Sequence, residues 1–232
     1  PLAFSWAAQV FLADARQFAS LDRHLEAAYA RSHAALAFHA ATWLTLDDAR
    51  LLRTLRTAAA SLYRQAMPVV WPELRRLEIP WRAARLPALL AAPERGAAPL
   101  VVLLNGSSTA KEETILWAGA FRAAGMAVLA LDWPGTGEAA LSTPAVPDCD
   151  DIVDDIVAAL ADEPAVDPTA LALVGVSLGA IPAVRTAALD RRVRAVVAVT
   201  PPYDPSRWLP SASALLIDHL ALGAGGHGAL WE

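Results

Sequence analysis

The chain has 232 residues, a formal net charge of −5 and 56% hydrophobic side chains. That length allows one large domain or a core with a smaller appendage, and that composition excludes an intrinsically disordered chain. The negative charge argues against nucleic acid or an anionic membrane as partner, while the single cysteine, Cys149, excludes an intrachain disulfide framework and suits a reducing, cytoplasmic compartment.

Residues 5–67 read as helices. Leu21, Leu25, Ala28 and Tyr29 recur at helical spacing, as do Leu51, Leu52, Leu55, Ala59 and Leu62. Asp47 and Asp48 mark a helix start, and Pro68 and Pro72 close the segment. The apolar stretch 34–46 is broken by His39 and Thr42 and falls short of the roughly 18–20 residues of a membrane span. The chain begins at Pro1 with no basic segment leading into an apolar one, so no targeting signal is readable. The absence of a first methionine is read as the start of a piece, or of a processed form, of a longer product.

From Glu73 the period changes. Leu77, Ile79 and Trp81 alternate with polar residues and 85–91 forms a second run, which predicts a β-hairpin. An alternation then begins, with strands at 100–104, 127–131, 171–176 and 193–199 and helices at 109–124, 150–161 and 178–189. Near-continuous apolar strands separated by helices predict an α/β protein with a mostly parallel sheet and helices on both faces. Right-handed crossovers put the carboxyl ends of the strands on one edge, where ligands bind.

Three loops reach that edge. After the first parallel strand comes 105–113, Asn-Gly-Ser-Ser-Thr-Ala-Lys-Glu-Glu. Here Gly106 admits close backbone approach, and Ser107 or Ser108 could present an oxyanion-binding N–H. Thr109 with Glu112 also fits a capping box. After the next strand comes 132–138, Asp-Trp-Pro-Gly-Thr-Gly-Glu. With Ala139 and Ala140 it matches a dinucleotide fingerprint, but Ser142, Pro144 and Pro147 leave no helix to hold a pyrophosphate. It reads as a tight rim loop, and no cofactor is expected.

The third loop is Gly175-Val-Ser-Leu-Gly179, between an apolar strand and a helix. Gly-x-Ser-x-Gly in that setting is a nucleophile elbow: the turn leaves no room for side chains two positions either side of the serine. Ser177 is thus the candidate nucleophile, with the N–H of Leu178 as an oxyanion donor. An ordinary strand-to-helix turn with a serine N-cap explains Ser177 but not both glycines.

Such a serine needs a base and an orienting acid, in the order serine, acid, histidine. After Ser177 the chain offers Asp190, Asp204, Asp218, His219 and His227. Nothing in 203–232 reads as either of the two further strands of a complete sheet: 211–222 looks helical and 223–228 is a loop. Two readings follow. In one the last strands, with acid and base, lie beyond Glu232; in the other Asp204 is the acid and His227 the base. His219 sits in a helical pattern, and His24, His33 and His39 read as helix-face residues. No metal-binding spacing is present.

These segments resemble an α/β-hydrolase group that includes the dihydroxy-pseudo-oxynicotine hydrolases and, more distantly, the fermentation/respiration switch esterases. The resemblance covers about residues 20–210. It rests on 76–80 with Leu86 and Pro87, on 105–113 with its Lys-Glu-Glu, on Asp-x-Pro-Gly-x-Gly-Glu at 132–138, and on 175–179. It implies a helical cap at 1–72 over an α/β-hydrolase core at 73–232 that lacks its final strands, and a Ser-Asp-His triad with Ser177 in the serine's place. It also implies cleavage of a small ester, thioester or activated ketone. In the C–C hydrolase of the group a further acidic residue assists, and Asp204 lies near its place without a matching context. Trp6, Phe38 and Trp43 would enclose an apolar acyl group or serve only packing. The expected partner is a small-molecule substrate, with a homodimer as assembly. A catalytically degenerate scaffold, or an acyltransferase or cyclase on the same fold, are the alternatives.

Overall fold

The computed structural model describes residues 1–201 apart from 46, 47, 95 and 147. Asp204, Asp218, His219 and His227 lie outside the described residues. The chain divides into two units, Pro1–Leu74 and Arg75–Glu232.

The first unit contains three helices, α1 (Leu2–Ser20), α2 (His24–Thr42) and α3 (Ala49–Val70), with α2 packed against both of the others. The stripe that α2 buries is alanine-rich, with Ala27, Ala28, Ala34, Ala35 and Ala41 almost wholly covered. Of the apolar face read from Leu21, Leu25, Ala28 and Tyr29, Ala28 is inside while Leu21, Leu25 and Tyr29 are exposed. Alanine lets helix backbones approach closely, and here that close packing, not the larger side chains, decides which face is inside. Phe38 joins Ala8, Ala37, Leu55 and Ala59 in this core, so its role is packing, whereas Trp6 is exposed and Trp43 stands edge-on to His39. Asp48 caps α3 by accepting the Leu51 N–H at 2.8 Å. The helix runs on past Pro68 to Val70 instead of ending there. A proline in the last turn forfeits one hydrogen bond without preventing the residues after it from staying helical. No helix among the described residues is long and apolar enough to cross a membrane.

The second unit is built on a six-stranded sheet, β1 (Arg75–Trp81), β2 (Ala84–Ala91), β3 (Ala98–Leu104), β4 (Ala127–Leu131), β5 (Val166–Val176) and β6 (Val193–Val199), in the order β1-β2-β4-β3-β5-β6. β1 and β2 form the antiparallel hairpin, β2 runs antiparallel to β4, and the remaining pairs are parallel. Leu100, Val102, Leu104, Leu129 and Leu131 share a core with α6 (Ile152–Ala159) and with Ala183 of α7 (Ala180–Leu189). The other face of the central strands, with Val101, Leu103, Val128 and Ala130, is equally buried. Leu129 sits at the middle of β4, fully buried, so Leu129→Ala is expected to cost about 2–5 kcal/mol in urea denaturation.

Three elements differ from expectation. The helix read over 109–124 is broken into α4 (Lys111–Thr114), a 3₁₀ turn Ile115–Trp117 and α5 (Ala118–Ala123). β5 begins at Val166 and absorbs an irregularity in its pairing with β3 between Pro99 and Leu100. β6, as apolar as the central strands, is largely exposed, with Val197 at 52%. Among the described residues it pairs with β5 alone, so hydrophobicity marks a strand without showing what covers it.

Candidate active site

β3, β4 and β5 end in register, Leu104 opposite both Leu131 and Gly175, so the loops that follow them start side by side. Ser177 follows β5 with a φ of +49°, in the left-handed region. A side chain is held there at a cost of about 1–2 kcal/mol, strain of the kind found at functional turns. The flanking glycines are sterically required. A Cβ on Gly175 would fall on the Gly179 carbonyl oxygen and the Ala180 backbone, and one on Gly179 on the carbonyl oxygens of Leu104 and Asn105. The turn Ser177–Gly179 then leads into α7. Ser177 and Leu178 are partly buried.

The loop after β3 lies against this turn. A Cβ on Gly106 would sit 3.3 Å from the Ser177 Cβ and 3.4 Å from the Val176 oxygen, so glycine gives the loop its closest approach to the serine. The Gly106 N–H donates to Thr109 Oγ1 at 2.8 Å and is thereby committed to the loop's own turn. Asn105 is fully buried and tied on three sides. Its carbonyl accepts from Trp133 Nε1 at 2.7 Å, its Oδ1 accepts from Thr136 Oγ1 at 3.1 Å, and its Nδ2 donates to the Thr109 carbonyl at 2.5 Å. The capping interaction expected between Thr109 and Glu112 is displaced by one residue. Glu113 accepts the Ala110 N–H at 3.2 Å, and since alanine has no acceptor only this half of a box forms.

Glu112 turns instead to a buried ion cluster that sequence reasoning missed. Lys111, with no exposed surface, donates to Asp132 Oδ2 at 2.8 Å and Glu138 Oε2 at 2.9 Å, and its ammonium forms an ion pair with Glu112 Oε1 at 2.7 Å. Asp132 also accepts the N–H of Lys111 on Oδ1 at 2.7 Å and that of Glu138 on Oδ2 at 2.8 Å. Arg76 reaches Glu138 at 2.9 Å. Gly137, at φ +45°, lies so close to the Asp132 carboxylate that a Cβ would overlap it. Gly137 thus serves packing on a buried carboxylate, while Gly135, at φ +83°, leaves room for Ala145. One signal was in the sequence: Lys111 is the only lysine, beside two glutamates.

Burial would lower the Lys111 pKa, but Asp132, Glu112 and Glu138 outweigh it and hold the ammonium above its ordinary range. Burial pushes the Asp132 carboxyl up, opposed by Lys111. For Glu138 burial is overcome by Lys111 and Arg76, and its pKa is lowered. A lowered carboxyl contributes stability that is present above its ordinary value of 4.5 and lost as pH falls through the folded value. Asp132 works in the opposite sense, so the Glu138 contribution is isolated by difference. Wild type should lose its Tm advantage over Glu138→Gln as pH falls below about 4.5.

Asp190, the first acid after Ser177, is not brought to this edge. It precedes β6, at the opposite end of the sheet, and its carboxylate is held by Arg192 at 3.0 Å. Asp204 and His227 are not among the described residues. No histidine occurs in 75–201.

A profile of the family described as Esterase FrsA-like matches residues 2–205. The hydrolase pyiE of Pyricularia grisea is 35% identical over 159 residues, 62% of this chain and 34% of that protein. The 2,6-dihydropseudooxynicotine hydrolase of Paenarthrobacter nicotinovorans is 28% identical over 185 residues, 79% of this chain and 50% of that one. The crystal structure of 2,6-dihydroxy-pseudo-oxynicotine hydrolase superimposes with a TM-score of 0.82 at 24% identity, over 95% of this chain and 62% of that one, a likeness of fold. The chain spans about a third to a half of the length of these curated relatives.

Proposed function

The chain belongs to the FrsA-like esterase family and has its α/β-hydrolase fold, and from that premise we propose that it is a serine-type hydrolase of a small ester, thioester or activated ketone. The observation that carries the reading is the turn at Ser177, with a positive φ, two glycines that backbone atoms leave no room to replace, and the Gly106 loop against its Cβ. In this reading the Ser177 oxygen attacks the substrate carbonyl, and the carbonyl π electrons move to oxygen. That oxyanion is held by the N–H of Leu178 and one of Ser107 or Ser108. A histidine takes the serine proton and passes it to the leaving group, and water then releases the acyl group by the same steps in reverse. Since 75–201 contains no histidine, the base lies outside that stretch, with His227, paired with Asp204, as the candidate the chain offers. The first unit is assigned the part of the cap. Cys149, buried with its thiol pushed up to about 12 chiefly by burial, is left as a packing residue, in keeping with a cytoplasmic setting.

A fluorophosphonate probe tests the proposal. In the intact protein it should add covalently to the Ser177 oxygen with loss of fluoride, and peptide mass spectrometry should place the adduct there. Absence of an adduct would favour a scaffold. If p-nitrophenyl esters give mostly alcohol or amine adducts when such acceptors are added, the chemistry is acyl transfer instead of hydrolysis.

A further inference from the structure

The Lys111 cluster is unexplained by stability alone. Burying an ammonium among carboxylates gains little over apolar packing of the same volume, because desolvation offsets the attraction. What such a cluster does supply is geometry. The ammonium donates to Asp132 at 2.8 Å and Glu138 at 2.9 Å and is paired in charge with Glu112 at 2.7 Å. Asp132, at the end of β4, then grips the N–H groups of Lys111 and Glu138 on its two oxygens. The loop 105–110 is therefore moored at both ends, by β3 before it and by Lys111 after it, with Gly106 against Ser177 between the moorings. Donors aimed at a developing oxyanion must be held to within about 0.5 Å, and a loop of this length does not do so unaided.

We propose that Lys111, bound to Asp132, Glu138 and Glu112, is a positioning residue that sets where the loop 105–110 presents its N–H groups to Ser177, and so governs the turnover step. The inference rests on the reading of Ser177 as nucleophile. Lys111 does not meet the substrate; it acts through the loop.

The test uses the intact protein with p-nitrophenyl acetate and a fluorophosphonate probe. Lys111→Met alone strands buried carboxylates, so it is paired with Lys111→Met/Asp132→Asn, which removes both charges of the fully buried pair, and with Glu138→Gln, which keeps shape and removes one charge. In whichever of these variants retain a cooperative thermal transition, kcat should fall on the order of 10²-fold for the Lys111 variants and about tenfold for Glu138→Gln, the size of misplacing an oxyanion donor. KM should stay within about threefold, and Ser177 labelling should slow in step with kcat. A merely structural cluster would lower Tm and leave kcat of the folded variants at the wild-type value, and that result overturns the proposal. Wild type that takes no fluorophosphonate overturns the nucleophile reading itself, an outcome distinct from labelled wild type with unaffected variants.

Discussion

Replacing Ser177 by alanine should reduce kcat for ester hydrolysis by roughly 10⁵–10⁶-fold, as removal of the nucleophile does where serine, base and oxyanion hole act as a unit. KM and the thermal transition should hardly move, because Ser177 is only partly buried. A second substitution at the same place sharpens the result. Ser177 stands at φ +49°, where a Cβ costs about 1–2 kcal/mol. Glycine relieves that strain and gives back about 0.5–1 kcal/mol in unfolded-chain entropy. Ser177→Gly should therefore be inactive yet as stable as wild type, or more stable by up to about 1 kcal/mol in urea denaturation. An ordinary turn serine would show no activity change in either variant, and that outcome would remove the hydrolase reading.

Adding one methyl group at Gly179 should be among the most damaging changes in the molecule. Its Cβ would overlap the carbonyl oxygens of Leu104 and Asn105, backbone atoms at the end of the central strand that have no rotamer to escape into. Gly179→Ala should cost about 3 kcal/mol or more, enough to unfold a marginal domain, with Gly175→Ala close behind. Gly119 supplies the control, since it lies in α5 where an added methyl would meet nothing within 4 Å. Gly119→Ala should stabilise by about 0.5–1 kcal/mol. Chemical denaturation of the three variants gives the comparison. Equal, small effects at all three would mean that the bend at Ser177 is looser than its geometry implies.

The elbow was legible because its requirements are local. A turn tight enough to lift a side chain off a strand excludes Cβ atoms at fixed offsets, and two glycines around a serine record that exclusion in one-dimensional form. The apolar strands and the β-hairpin were legible for a similar reason: burial on both faces, or on one, leaves a period in the chain. The same logic half misled around the start of α2, where of Leu21, Leu25, Ala28 and Tyr29 the large side chains made the conspicuous stripe but Ala28, with the other alanines, took the inside. It misled again at 109–124, where the Lys111 anchor and the Glu113 cap set a short helix that the apolar pattern ran straight through.

Residue order by itself determined the family, the α/β alternation and the one serine on a corner, since each depends on neighbours within a few positions along the chain. Only the tertiary structure decided that Asn105 is clamped by Trp133 and Thr136, that Gly106 faces Ser177, and that the lone lysine is shut in with Asp132 and Glu138. Those partners are 21 to 31 positions apart in the hydrogen-bonded pairs. They meet because parallel crossovers gather three strand ends on one edge, and no local period encodes which side chains will find each other there.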